Sequence, residues 1–142
     1  MDATRLVLDT YDLFVKACSA FCRKSYVKIR VRLIPQRGET TPETPKLIDF
    51  TIINESGPDI EVQEAWFLTS FRRHIFSQAI DSRLPVTVRS KDRVTFFVPY
   101  EELKAALNER VKETITHGVV FAKTQRQYQS RIDEALEKEL AK

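Results

Sequence analysis

Residues 47–68, LIDFTIINESGPDIEVQEAWFL, decide the fold that this sequence predicts. Both halves of the stretch alternate apolar and polar side chains and are rich in β-branched and aromatic residues, which is typical of half-buried β-strands. Between the halves, residues 54–59 (NESGPD) combine the glycine, proline, asparagine and aspartate that favour turns. The stretch therefore predicts a β-hairpin whose two arms form the middle of a sheet.

The alternation also predicts which side chains face the core. The inward positions of the two arms are Ile48, Phe50, Ile52, Ile60, Val62, Trp66 and Leu68. Trp66 is the only tryptophan, and its large apolar area predicts burial. Glu64 interrupts the apolar face, so we expect either a β-bulge that returns it to solvent or an arginine partner.

Length and composition bound the class of protein. A chain of 142 residues is long enough for one domain and too short for two well-buried ones. Hydrophobic residues at 42% and charged residues at 30% are ordinary globular values, which argues against wholesale disorder. Lysine and arginine number 23 against 20 acidic residues, and the net charge of +3 is too small to indicate a nucleic-acid partner by itself.

Residues 1–25 predict an amphipathic N-terminal helix. Its apolar side has heptad-like spacing at Val7, Tyr11, Phe14, Cys18 and Phe21. Asp9 and Asp12 interrupt the run, which argues against a membrane span or a secretory signal. Three placements stay open for this helix, which are packing on the domain, pairing with another helix and lying at a lipid interface. Its cysteines are expected to be reduced thiols in a cytoplasmic protein.

Residues 26–129 predict a β-sandwich domain. The clearest strand is VKIRVRLI at 27–34, with Lys28, Arg30 and Arg32 on its outward face. Further strands are predicted at 84–88, 93–98, 119–122 and 126–129, and the 84–88 and 93–98 strands are expected to form a second hairpin. Pro99 begins an inserted helix at 99–114. Residues 130–142 predict a C-terminal helix with an apolar stripe of Ile132, Leu136 and Leu140.

This order of elements resembles a group of uncharacterised bacterial and prophage proteins. The matching segments are residues 27–33, 50–54, 62–68, 84–85, 94–103 and 118–122. The resemblance implies a mainly β (α+β) fold, namely an immunoglobulin-like β-sandwich of about seven strands with an N-terminal, a short inserted and a C-terminal helix. Members of the group often carry an N-terminal membrane helix, whereas the corresponding helix here is amphipathic. The resemblance implies no catalytic residues.

The sequence predicts no enzyme, cofactor or metal site. His74 and His117 stand outside any catalytic motif, and a catalytic base needs placement and an orienting partner. The two cysteines and two histidines lack metal-finger spacing. With only 3 glycines, no Gly-rich phosphate-binding loop appears.

The function predicted is a non-enzymatic protein-interaction module whose protein partner is unidentified, and a prophage factor acting on a host protein is one version of it. The helix stripes are the predicted partner-binding residues, and they also suggest a homodimer. One alternative is a nucleic-acid binder, or a binder of an acidic partner, that uses Lys28, Arg30, Arg32, Arg72 and Arg73. The other alternative is a membrane-surface adaptor that uses the N-terminal helix.

Overall fold

The computed structural model describes residues 26–34 and 46–142. The predicted N-terminal helix, with its stripe of Val7, Tyr11, Phe14, Cys18 and Phe21, lies outside the described residues. The described strands are β1 (Val27–Leu33), β2 (Leu47–Asn54), β3 (Ile60–Thr69), β4 (His74–Ile75), β5 (Val86–Val88), β6 (Asp92–Pro99), β7 (Ile115–Ala122) and β8 (Gln127–Arg131). The described helices are α1 (Gln78–Asp81), α2 (Tyr100–Ala106) and α3 (Glu134–Leu140), with a 3₁₀ turn at Glu109–Val111.

Two antiparallel sheets form the described domain. One sheet has three strands in the order β1-β2-β6, and the other has five, in the order β4-β3-β7-β8 with β5 also paired to β3. The predicted mainly β class is therefore confirmed for the described residues, and the arrangement is compatible with a β-sandwich. None of the helices in this part of the chain has the length and apolar character needed to cross a membrane.

The core lies between the two sheets. Phe50 of the three-stranded sheet packs edge-to-face on Phe67 of the other sheet, with ring centroids 5.4 Å apart. Gly118 of β7 lies directly beneath the same contact, since a β-carbon built there would be 2.6 Å from Val31 and 3.0 Å from Phe50. The two sheets therefore approach closely at a position that has no side chain.

The strands at 47–54 and 60–69 are confirmed, but the hairpin that should join them is wrong. β2 pairs with β1 and β6, whereas β3 pairs with β4, β5 and β7, so the connection crosses from one sheet to the other. Buried Asn54 holds this crossing, because its amide nitrogen donates to the carbonyl oxygens of Pro58 (2.9 Å) and Val88 (3.0 Å). Its amide oxygen accepts from the backbone nitrogen of Ser56 at 2.9 Å. The second predicted hairpin fails in the same way, because β5 pairs with β3 and β6 with β2.

A β-bulge between Val62 and Glu64 changes which residues of β3 face the core. Glu64 is exposed, as the bulge alternative predicted. Beyond the bulge the alternation is reversed, so Ala65 and Phe67 join the core while Trp66 lies on the opposite side of the sheet. Trp66 is buried, as predicted, but it is not part of the core between the sheets.

The two helical predictions within residues 99–142 are too long. α2 ends at Ala106 because Leu107 is extended, and the side chain of Asn108 caps a separate 3₁₀ turn. β7 then begins at Ile115, four residues before the predicted strand. At the C-terminus β8 continues to Arg131, so α3 begins at Glu134 rather than at residue 130.

Candidate docking surface on the five-stranded sheet

The side of the five-stranded sheet that faces away from the core carries an unusual mixture of side chains. In the strand register Trp66 is opposite Val119, which is opposite Gln129. One step along, Leu68 lies opposite His74 and His117, and His117 lies opposite Arg131. Residues paired across strands point to the same side of a sheet. We call this surface of aromatic, polar and basic side chains the outer face.

Three rings form an aromatic cluster on the outer face. The imidazole of His74 stacks on the indole of Trp66 at 4.9 Å between centroids, with 26° between the ring planes. Phe76 lies 5.9 Å from Trp66 and 6.3 Å from His74. Trp66 is 5% exposed and Phe76 is 50% exposed. Trp66 is therefore the buried ring of the cluster, and Phe76 exposes apolar surface to solvent. The buried indole N–H has no hydrogen-bond partner within the described residues.

The turn between β3 and β4, residues 69–73, is fixed by the hydroxyl of Thr69. That oxygen accepts hydrogen bonds from the backbone nitrogens of Phe71 at 3.2 Å and Arg73 at 3.1 Å. Ser70 adds a bond from its own backbone nitrogen to the carbonyl of Thr114 at 2.8 Å. The turn holds Phe71 57% exposed, and it places Arg72 in the left-handed region with φ of 61°.

A buried carboxylate, Glu113, anchors this turn from below. It accepts hydrogen bonds from the Thr69 hydroxyl (2.8 Å), from Nε of Arg73 (2.8 Å) and from the backbone nitrogen of Asn108 (3.0 Å). The hydrogen bond from Arg73 is the largest cause that lowers the pKa of Glu113 to about 2, while burial acts in the opposite direction. Arg73 also donates to the carbonyl of Ala106. Of the two predicted ligand-binding arginines in this turn, Arg73 is therefore engaged in the fold and Arg72 points outward.

A groove of about 540 Å³ runs beside the turn across the outer face. Its lining includes Arg72, His74, His117, Gln127, Gln129 and Arg131. Among the described residues no aspartate or glutamate lines it. Arg131 is 66% exposed and uses one guanidinium nitrogen in a 3.3 Å contact with Glu137 of α3, which leaves its other donors facing solvent or a ligand.

The predicted basic strand lies on the other sheet. Arg30 and Arg32 share the buried carboxylate of Asp49, at 3.1 and 3.3 Å, and Lys28 is 3.7 Å from Glu55. Arg131 lines both the groove on the outer face and a second groove along β1. Arg131 thus lies between the two predicted basic clusters, and the three cations of β1 are partly balanced by two carboxylates, Asp49 and Glu55.

The predicted partner-binding stripe on the C-terminal helix packs against the chain's own core. Ile132, Leu136 and Leu140 are all buried. The backbone nitrogen of Asp133 donates to the carbonyl of Val31 at 2.8 Å, and Lys104 donates to the carbonyl of Leu140 at 2.6 Å. Because the stripe packs against β1 and α2 of its own domain, these three side chains are not exposed for a partner in the described structure.

The outer face contains residues that sequence reasoning did not assign to a surface. Phe71, His74 and Phe76 lie within residues 70–80, where no strand or helix is predicted, and Gln127, Gln129 and Arg131 lie in the edge strand β8. The available signal was the sequence FRRHIF at 71–76, in which cations and aromatics are adjacent. In the described ranges no group of three or more metal-ligating side chains is placed to hold a metal ion.

Comparison of the chain with known proteins finds no matching family model, no matching curated protein and no matching solved structure.

Proposed function

We propose that this chain is a non-enzymatic protein-interaction module that docks its partner on the outer face of the five-stranded sheet. The observation that carries the proposal is a pair of phenylalanines that are each at least half exposed: Phe76 in the aromatic cluster of the outer face, and Phe71 in the turn whose residues Ser70 and Arg72 line the groove. Exposed aromatic rings rimmed by polar groups are typical of protein-binding surfaces, since aromatic residues dominate the buried centres of interfaces.

The hydrogen bonds and ring contacts that order this surface support the same proposal. The turn that presents Phe71 is held by the buried contacts of Thr69 and Glu113, and Phe76 leans on the Trp66–His74 stack. A surface that is already ordered loses less conformational entropy when it binds. The hydrogen bonds around Phe71 and the ring contacts of Phe76 therefore favour recognition over an accidental exposure of apolar groups.

We further propose that the sandwich is of the immunoglobulin-like kind and that it acts in the cytoplasm. The first part is supported by the two antiparallel sheets and by the β2–β3 and β5–β6 connections, both of which cross between sheets. The second part is supported by cysteines spaced four apart in a predicted helix, where a bridge would be strained. Immunoglobulin-like sandwiches bind through faces, edges and end loops, so the fold alone names no partner.

The two phenylalanines provide the test. The variant with Phe71→Ser and Phe76→Ser is expected to keep its fold and to lose most of the proteins that the wild-type chain captures from a lysate of its source, as measured by quantitative mass spectrometry. Aromatic residues that anchor an interface contribute about 1 kcal/mol or more each, so roughly a thirtyfold loss of affinity is expected for the pair.

Phe97 provides the matched control, because it is 55% exposed but belongs to β6 of the other sheet. The Phe97→Ser variant should capture the same proteins as the wild type. Equal capture by the Phe71/Phe76 variant, or loss only in the Phe97 variant, would contradict the proposal. Light scattering on the purified chain separates self-association from binding of another protein.

A further inference from the structure

We infer that the groove on the outer face takes an extended acidic peptide segment, with partner carboxylates placed at Arg72 and Arg131. This inference deepens the proposed function and rests on it. It specifies the chemistry of the docked segment, which the two exposed phenylalanines alone do not.

The groove is lined by two arginines and two histidines and, among the described residues, by no carboxylate. Arg72 has no ion-pair partner in the described part of the chain, and the guanidinium of Arg131 meets Glu137 through a single nitrogen. An unpaired guanidinium beside a groove favours a carboxylate ligand, because its planar set of donors matches the two oxygens.

The neutral lining of the groove indicates an extended peptide. Gln127 and Gln129 are exposed alternate residues of β8, so both side chains project on the same side of the sheet. Side-chain amides offer both donors and acceptors, which suit the alternating N–H and C=O groups of an extended backbone. The exposed ring of Phe76 lies 6.3 Å from His74, which lines the groove, and offers apolar contact to the side chains between the carboxylates.

The same charges argue against a nucleic acid as the occupant. Affinity for nucleic acid comes from many phosphate contacts, each neutralised by a cation. Beyond the groove, the three cations of β1 meet carboxylates of their own chain, because Arg30 and Arg32 share Asp49 and Lys28 is 3.7 Å from Glu55. Two available arginines match a short acidic segment better than a continuous chain of phosphates.

The experiment uses a fluorescently labelled octapeptide of alternating glutamate and valine, and a matched peptide with glutamine in place of glutamate. The glutamate peptide should bind at least about tenfold more tightly than the glutamine peptide, since charge-assisted hydrogen bonds are roughly twice as strong as neutral ones. Arg72→Gln and Arg131→Gln should each weaken binding by about threefold, as expected for partly exposed ion pairs. Arg93→Gln, which removes an exposed arginine from the other sheet, should have no effect.

A second variant tests the role of Arg131 without removing it. Glu137→Gln releases the guanidinium from its own ion pair and should tighten binding of the glutamate peptide by about twofold. Equal binding of the two peptides, or full binding by both arginine variants, would overturn the inference. An oligothymidylate that binds more tightly than the glutamate peptide, with steep loss in salt, would overturn it in favour of nucleic acid.

These outcomes are distinguishable from failure of the proposed function. If Phe71→Ser and Phe76→Ser abolish protein capture while the glutamate peptide fails to bind, the outer face still docks a partner but not through an acidic segment. If the Phe71/Phe76 variant captures normally, the docking surface itself is misplaced.

Discussion

Gly118→Ala is expected to destabilise the domain by about 3 kcal/mol, because it overpacks the contact between the two sheets. The added β-carbon would be 2.6 Å from Val31, 3.0 Å from Phe50 and 3.1 Å from Ile29, all side-chain carbons of the facing sheet. Those neighbours are buried, so either their side chains or the two sheets must shift to admit the added carbon. Urea unfolding monitored by the fluorescence of the single tryptophan measures the change.

Gly57→Ala is the matched control for this prediction. No heavy atom lies within 4 Å of a β-carbon built at Gly57, and its φ lies outside the left-handed range. The free energy of unfolding of Gly57→Ala should change by less than about 0.5 kcal/mol or rise slightly.

A double variant, Val31→Ala with Gly118→Ala, tests the same contact. Its loss of stability should be smaller than the sum of the losses of the two single variants, because removing the Val31 methyls relieves the collision. A Gly118→Ala protein as stable as the Gly57→Ala protein would contradict the packing of the two sheets described above.

Glu113→Gln is expected to destabilise the domain by about 2 kcal/mol at neutral pH. Glutamine keeps the size of the side chain but removes its negative charge. The carboxylate oxygens of Glu113 accept hydrogen bonds from Arg73, Thr69 and Asn108, and one of these oxygens becomes an amide group that cannot accept. Because Arg73 is half exposed, water recovers part of the loss, which keeps the effect below that of a fully buried pair. Glu109→Gln, an exposed carboxylate of the preceding 3₁₀ turn, should change stability by less than about 0.5 kcal/mol.

Glu113→Gln also tests how the free energy of unfolding depends on pH. The folded pKa of Glu113 is lowered from 4.5 to about 2, so its contribution is fully present above pH 4.5 and is lost as pH falls toward 2. The stability difference between wild type and Glu113→Gln should therefore shrink across that interval. A difference that stays constant between pH 5 and pH 2.5 would show that the carboxylate is not bound as described.

The sequence predicts the strands of this protein well because alternation is a local property. β1, β2 and β6 lie where the alternation places them, and inward residues such as Ile48 and Phe50 are fully buried. Alternation does not specify the partner of a strand, and this is why the predicted hairpin of β2 with β3 is wrong. The partner depends on how the Asn54 side chain bridges Pro58 and Val88, a contact that joins distant residues.

The candidate surface is less predictable than the strands. A one-residue bulge after Val62 moves Trp66 from the predicted core to the outer face, and a local pattern cannot reveal where a bulge restores or reverses the alternation. Arg72 and Arg73 are adjacent and chemically alike in sequence. Their roles differ because the buried Glu113, which is 40 residues from Arg73 along the chain, binds Arg73 and leaves Arg72 to line the groove.

The single tryptophan provides the most direct measurement of the central claim, which is that partners dock on the outer face. In a two-dimensional ¹H–¹⁵N correlation spectrum the indole N–H of Trp66 gives one isolated peak, and the ring lies beneath His74 and Phe76. On adding a captured partner, we predict that this peak shifts together with the amides of residues 69–76 and 127–131. An unchanged indole peak, with the shifts confined to β1 and its neighbours β2 and β6, would contradict the account.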